Sequence, residues 1–221
     1  MTPTDLPPSA QPPTEQLVEA VRRADSSQAL LLATRELAAS GDPGAAPVLV
    51  EVLGFNNPGA AVAAVDGLIR LRGAAVEALL RLDAQNYGAR AWAVRALAGI
   101  GDVRGLELLE EALGSDVAAS VRRAAAKGLG SLQLDHLPCQ EQERILQRCL
   151  QALLPASADG EWVVRYAVAV ALEALANRLH SRGQPLQALL GGLDSLGGDA
   201  AGNPPVVRLR ARLALERIQR S

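Results

Sequence analysis

Five aromatic residues in a chain of 221 stand where a flat ligand would find them useful: Phe55, Tyr87, Trp92, Trp162 and Tyr166. Four of them flank arginines, as Tyr87, Arg90 and Trp92 in one stretch and Trp162, Arg165 and Tyr166 in another. Rings beside guanidinium groups suit an apolar planar molecule with polar edges, because the rings offer faces and the cations offer anchors. Guanidinium is also geometrically matched to carboxylates. A plainer reading stays open for both groups. The rings could be ordinary packing residues. The arginines could form a ladder with aspartates or carbonyls of the neighbouring unit, as Asp116 and Asp159, each six residues before an arginine, would allow. Acid–base candidates are Glu161, Asp159, Tyr87, Tyr166 and His136, none of them at a motif spacing. There is no nucleophile elbow, no P-loop and no usable glycine fingerprint. His136 and Cys139 are three residues apart without a second pair, and His180 is distant, so no metal site is expected.

A repeat positions these residues. Arg90, Arg122, Arg165 and Arg208 recur at steps of 32, 43 and 43 residues, each followed by alanines and a leucine at the same offsets. An upstream copy starts at Ala61, with alanine in place of arginine. Apolar residues fall at helical spacing, as in Val121, Ala124, Ala125 and Gly128, so each copy predicts an amphipathic helix. Second helical patterns lie between the copies, at 45–53, 75–82, 105–113, 141–154 and 186–196. The unit is helix A, turn, helix B, with glycine and aspartate at the junctions (Gly41-Asp42, Gly101-Asp102, Ser115-Asp116). All five aromatics are expected in A-to-B turns or the first turns of B helices. The fold class is all-α: an α-solenoid of about six helix pairs, whose concave surface is suited to binding. Residues 1–13, with five prolines, read as a disordered tail, and 14–221 as one solenoid domain.

The composition agrees. Apolar residues make up 49% and aromatics 2%, so alanine and leucine must build the core, which favours helices. A net charge of −2 argues against nucleic-acid binding. No apolar run is long enough for membrane insertion. The first residues lack the basic and apolar regions of a signal peptide, and the two cysteines are no disulfide framework, so a cytoplasmic location is expected.

Three stretches carry a resemblance: GFNNPGAAVAAVDGLIRL from Gly54, NYGARAWAVRALAGIGD from Asn86 and DGEWVVRYAVAVALEAL from Asp159. With SVRRAAAKGLG from Ser120 they resemble the phycobilin lyases of the E/F type, most of all the F-type subunits of phycocyanin α-subunit phycocyanobilin lyases. The similarity runs from Leu17 to Ala176. It implies a solenoid of HEAT-like repeats that works as a heterodimer with an E-type partner. The pair holds an open-chain tetrapyrrole, phycocyanobilin first, as substrate and not as a prosthetic group. It delivers the bilin to a cysteine of a phycobiliprotein, the phycocyanin α subunit first, as a thioether on the vinylic C3 side chain. On this resemblance the bilin surface is expected at Tyr87, Arg90, Trp92, Trp162, Arg165 and Tyr166, with Asn56 and Asn57 at a polar edge. Glu161 and Tyr166 are the expected catalytic pair. The isomerising relatives carry an Asn-His-Cys segment, whereas His136 here is followed by Leu-Pro-Cys, which implies attachment without isomerisation. Two other functions share these features. One is a noncatalytic scaffold for phycobilisome assembly or degradation, and the other is a phycoerythrin-specific lyase.

Overall fold

Alanines and leucines three and four residues apart become twelve α-helices, with no strand among the described residues. The computed structural model describes residues 12–83, 85–198 and 202–220. The proline-rich tail lies outside them apart from Pro12 and Pro13, as does the centre of the glycine-rich turn before the last helix.

The helices alternate between two layers. The A helices are α1 (Thr14–Arg23), α3 (Ala46–Val52), α5 (Gly73–Leu80), α7 (Leu106–Ser115), α9 (Cys139–Ala156) and α11 (Gln187–Gly197). The B helices are α2 (Ser27–Ala39), α4 (Pro58–Leu71), α6 (Tyr87–Ile100), α8 (Ala119–Gly130), α10 (Trp162–His180) and α12 (Pro205–Arg220). Each B helix packs on the next, α2 through α12, and α3 on α5, α7 on α9 and α9 on α11 make the second layer. This is a HEAT-like α-solenoid of six helix pairs, each closing its core against its neighbours.

The repeat register explains the packing. Seven residues after each of the first four register positions stands a fully buried leucine: Leu68, Leu97, Leu129 and Leu172. Burying each such side chain contributes roughly 1.5–3 kcal/mol. Four residues after it stand the buried Val65, Val94, Ala126 and Ala169. On the last B helix that position is the exposed Arg212, whose Nε donates to the Gly197 carbonyl, so the stack ends on a polar face. Small residues bring the B helices close. A Cβ added to Gly128 would lie 2.8 Å from the Ala98 Cβ and 2.9 Å from its Cα.

The junction residues act as caps. Ser26, Asn57 and Asn86 accept from the backbone N–H three residues on, satisfying donors that the helix leaves free. Asp42 and Asp102 cap short 3-10 turns before α3 and α7. Gly101 takes a left-handed φ of 71°, as a helix-ending residue requires.

One sequence expectation needs correction. Trp92 and Tyr166 lie in the second turn of their helices and are half-buried, so only Phe55, Tyr87 and Trp162 sit at the turns. Arg210 of α12 is committed to the scaffold, pairing with the buried Glu173 of α10, which also receives Arg217.

Candidate functional site

The register arginines are working parts of the scaffold at two of their positions. Arg122 grips both oxygens of Asp159 with Nε and Nη2, at 2.7 and 2.9 Å. Its Nη1 donates to the carbonyls of Asp116 and Val117 at 2.8 and 3.1 Å. Arg165 repeats the arrangement one unit later: Nη1 to the carbonyls of Asp159 and Gly160, Nε to Oδ1 of Asn203 at 2.6 Å. Each guanidinium thus ties its own A-to-B turn to the next one. Hydrogen bonding to Arg122 holds the Asp159 carboxyl below its ordinary range, and the same bonds raise the Arg122 guanidinium. Arg165, expected at the bilin surface, has its donors turned into the fold.

Arg90 differs. Its Nη2 pairs with Glu111 of α7 at 2.7 Å, and both residues line a cleft of about 630 Å³ at the turn edge. Tyr87 and Val117 stand at its rim, 76% and 94% exposed. The volume falls in the range of small-molecule pockets, about 300–1,000 Å³. A second cleft of about 350 Å³ adjoins it, sharing Ser115 and Asp116 and reaching Arg122 and Asp159. Phe55, Tyr87, Val117 and Trp162 place one exposed apolar side chain on each of four successive A-to-B junctions.

The remaining expected residues are spread. Asn57 caps α4 and donates to the Ser27 carbonyl at 2.9 Å, so it serves the fold. Asn56 is exposed beside it. Glu161 precedes α10 and is exposed; Tyr166 packs one turn in against the core. Trp92 also packs against the core and carries the Arg95 guanidinium 4.4 Å above its ring. The structure therefore brings Tyr87 and Arg90 together and places Trp92 apart from them.

A different groove, of about 440 Å³, opens on the outward face of the B layer between α6 and α8. Arg95, Arg123 and Lys127 line it, with Ser120, Ala98 and Gly99 between. Sequence reasoning passed over this cluster and over Val117 and Asn203. The signal for the groove was a register one: Arg95 and Lys127 both stand five residues after their register arginines. Among the described residues no group of histidine, cysteine or acidic side chains could hold a metal ion. No helix is long and apolar enough to cross a membrane.

Residues 76–173 match a family model of HEAT repeats. The phycocyanin alpha phycocyanobilin lyase CpcF of Synechocystis sp. is 53% identical over 180 residues, covering 81% of this chain and 84% of the relative. The chain belongs to the phycocyanobilin lyase family. Within that family the bilin biosynthesis protein RpcF of Synechococcus sp. is 46% identical over 210 residues, covering 95% of this chain and 98% of its own. A solved complex of CpcE and CpcF of phycocyanin lyase from Nostoc sp. matches with a TM-score of 0.68 at 42% identity, covering 79% of this chain and 99% of that one. Members of the lyase family thus share the helix-pair solenoid seen here, and the clefts belong to a fold that a relative uses beside a second chain.

Proposed function

We propose that this chain is the F-type subunit of a heterodimeric bilin lyase. With an E-type partner it attaches phycocyanobilin to a cysteine of the phycocyanin α subunit. The observation that carries this reading is the 53% identity to a phycocyanobilin lyase over 84% of that relative's length. The likeness to a chain of a solved CpcE–CpcF complex supports the heterodimer.

The chemistry asks little of the protein beyond positioning. The cysteine thiol adds across the double bond of the C3 side chain, a C–S bond forms, the proton ends on the bilin and nothing leaves. A solenoid without a catalytic triad contributes by orienting the two reactants and limiting the bilin's conformations. Tyr87 and the adjoining cleft, with Trp162 two junctions beyond Tyr87, supply exposed rings for that purpose. Glu161, just before α10, and Tyr166, in its second turn, are the groups assigned to proton transfer. The Glu161 carboxylate accepts no hydrogen bond among the described contacts, which leaves it available.

The test is co-expression of this chain, an E-type partner and a phycocyanin α subunit in a bilin-producing bacterial host, each omitted in turn. Covalent pigment is read on denaturing gels by zinc-enhanced fluorescence. A pigmented α subunit that requires both chains is expected. Pigment only on a phycoerythrin subunit with its own bilin moves the substrate, and pigment on no acceptor assigns the chain to a scaffold.

A further inference from the structure

We infer that the groove between α6 and α8 binds the propionates of the bilin, and that the tetrapyrrole runs from it across the outward faces of α10 and α12. The inference rests on the lyase reading and adds to it a subsite and a direction.

Register positions show the pattern. One residue after the register position, the B helices α4, α6, α8, α10 and α12 present Val62, Ala91, Arg123, Tyr166 and Leu209; five residues after it, Asp66, Arg95, Lys127, Val170 and Leu213. Equivalent positions on packed helices form rows. Along these rows the surface passes from cationic on α6 and α8 to apolar on α10 and α12, where Leu209 and Leu213 are 64% and 40% exposed. Trp162 and Val206, also exposed, extend the apolar area toward the turn edge.

The cations are what distinguish the groove. Five arginines elsewhere have acidic partners, Arg90 with Glu111, Arg104 with Asp102, Arg122 with Asp159, Arg148 with Glu110 and Arg210 with Glu173, while Arg165 and Arg178 donate to amide or backbone oxygens inside the fold. Among the described residues Arg95, Arg123 and Lys127 pair with no carboxylate, and no acidic side chain lines their groove. Arg95 is nevertheless held in place, by Trp92 beneath it and by Nη2 to the Ser120 hydroxyl at 3.2 Å. A positioned guanidinium flanked by two exposed cations recognises a dicarboxylate. The adjoining apolar rows would cover the rings. Helix axes 8–10 Å apart make α8, α10 and α12 span roughly 16–20 Å, room for an extended chain of four rings.

The experiment uses this chain purified with its E-type partner. Phycocyanobilin and its dimethyl ester, which lacks the carboxylates, are titrated by absorbance, and transfer to the phycocyanin α subunit is timed. The wild-type pair is expected to prefer the free acid at least tenfold. Arg123→Ala and Lys127→Ala, both at exposed positions, should each weaken the free acid about tenfold and leave the ester unchanged, because a hydrogen bond to a charged group is removed. Variants that discriminate acid from ester as the wild type does overturn the subsite, as does a wild-type pair that ligates both forms equally. Variants that no longer co-elute with the partner would assign the groove to the partner chain and also overturn it. A wild-type pair that attaches no bilin at all overturns the lyase reading itself, so the two failures are distinguishable.

Discussion

Removing the Arg122 side chain tests the turn clamp most directly. Arg122→Ala deletes a two-point contact with Asp159 and two hydrogen bonds to the carbonyls of Asp116 and Val117. The pair is largely shielded, with 16% and 10% of the two side chains exposed. It leaves Asp159 with only the Glu161 N–H as a hydrogen-bond donor. Breaking a fully buried pair costs about 3–5 kcal/mol, and residual solvent access puts this one near the lower end, about 3 kcal/mol. For a domain of this size that is a fall in Tm of roughly 6–12 °C by circular dichroism. The loss should be local, with faster amide exchange where α8 meets α10, because solenoid units contact only their neighbours. Asp159→Ala in the Arg122→Ala background should restore part of the stability, since the stranded carboxylate goes with it.

Acid sharpens the test. Asp159 titrates below its ordinary range because Arg122 hydrogen-bonds its charged form. That stabilisation is complete above the unfolded carboxylate pKa of about 3.9 and is lost as pH falls through the depressed folded value. The gap between wild type and Arg122→Ala should therefore be constant near neutrality and narrow below about pH 4. A Tm change under about 2 °C, or single-variant costs that add within about 0.5 kcal/mol, would refute the clamp.

Three further outcomes are expected. Gly128→Ala places a methyl 2.8 Å from the Ala98 methyl, and thermal denaturation should show a loss of about 1–3 kcal/mol as α8 is pushed from α6. Burial pushes the Cys149 thiol up to about 12, whereas Cys139 is exposed, so mass spectrometry at pH 8 should find one alkylated cysteine in the native chain and two after unfolding. Tyr87→Ala removes a ring that is 76% exposed, so Tm should hold within about 1 °C while bilin transfer slows several-fold.

Much of the fold was legible because the repeat states one rule several times. An arginine followed at fixed offsets by alanines and a leucine named the B helices and their buried faces, and the structure buries Leu68, Leu97, Leu129 and Leu172 at that leucine position. Aspartates at the junctions marked the turns, since their side chains satisfy free N–H groups there. Depth along each helix was less legible. Trp92 and Tyr166 lie one turn inside the stack, and a one-turn difference decides whether a ring meets solvent or a neighbouring helix.

The site was harder because a side chain's task depends on what the superhelix brings opposite it. Arg165 and Arg123 look alike as types, and both stand at a register position or beside one. Asn203, 38 residues on, reaches Arg165 and commits it to the scaffold, while no carboxylate reaches Arg123. Arg90 lacks the bidentate aspartate that Arg122 has and takes the exposed Glu111 from α7, the next A helix, which leaves it in a cleft wall. Spacing alone cannot separate these cases, since all three follow the same helical period. What separates them is the charge balance across neighbouring turns. An arginine whose next unit offers an acid or amide at the turn becomes part of the frame, and one that meets no such group becomes available to a ligand. The groove cations are therefore the consequence of a rule that the repeat applies elsewhere and leaves unsatisfied here.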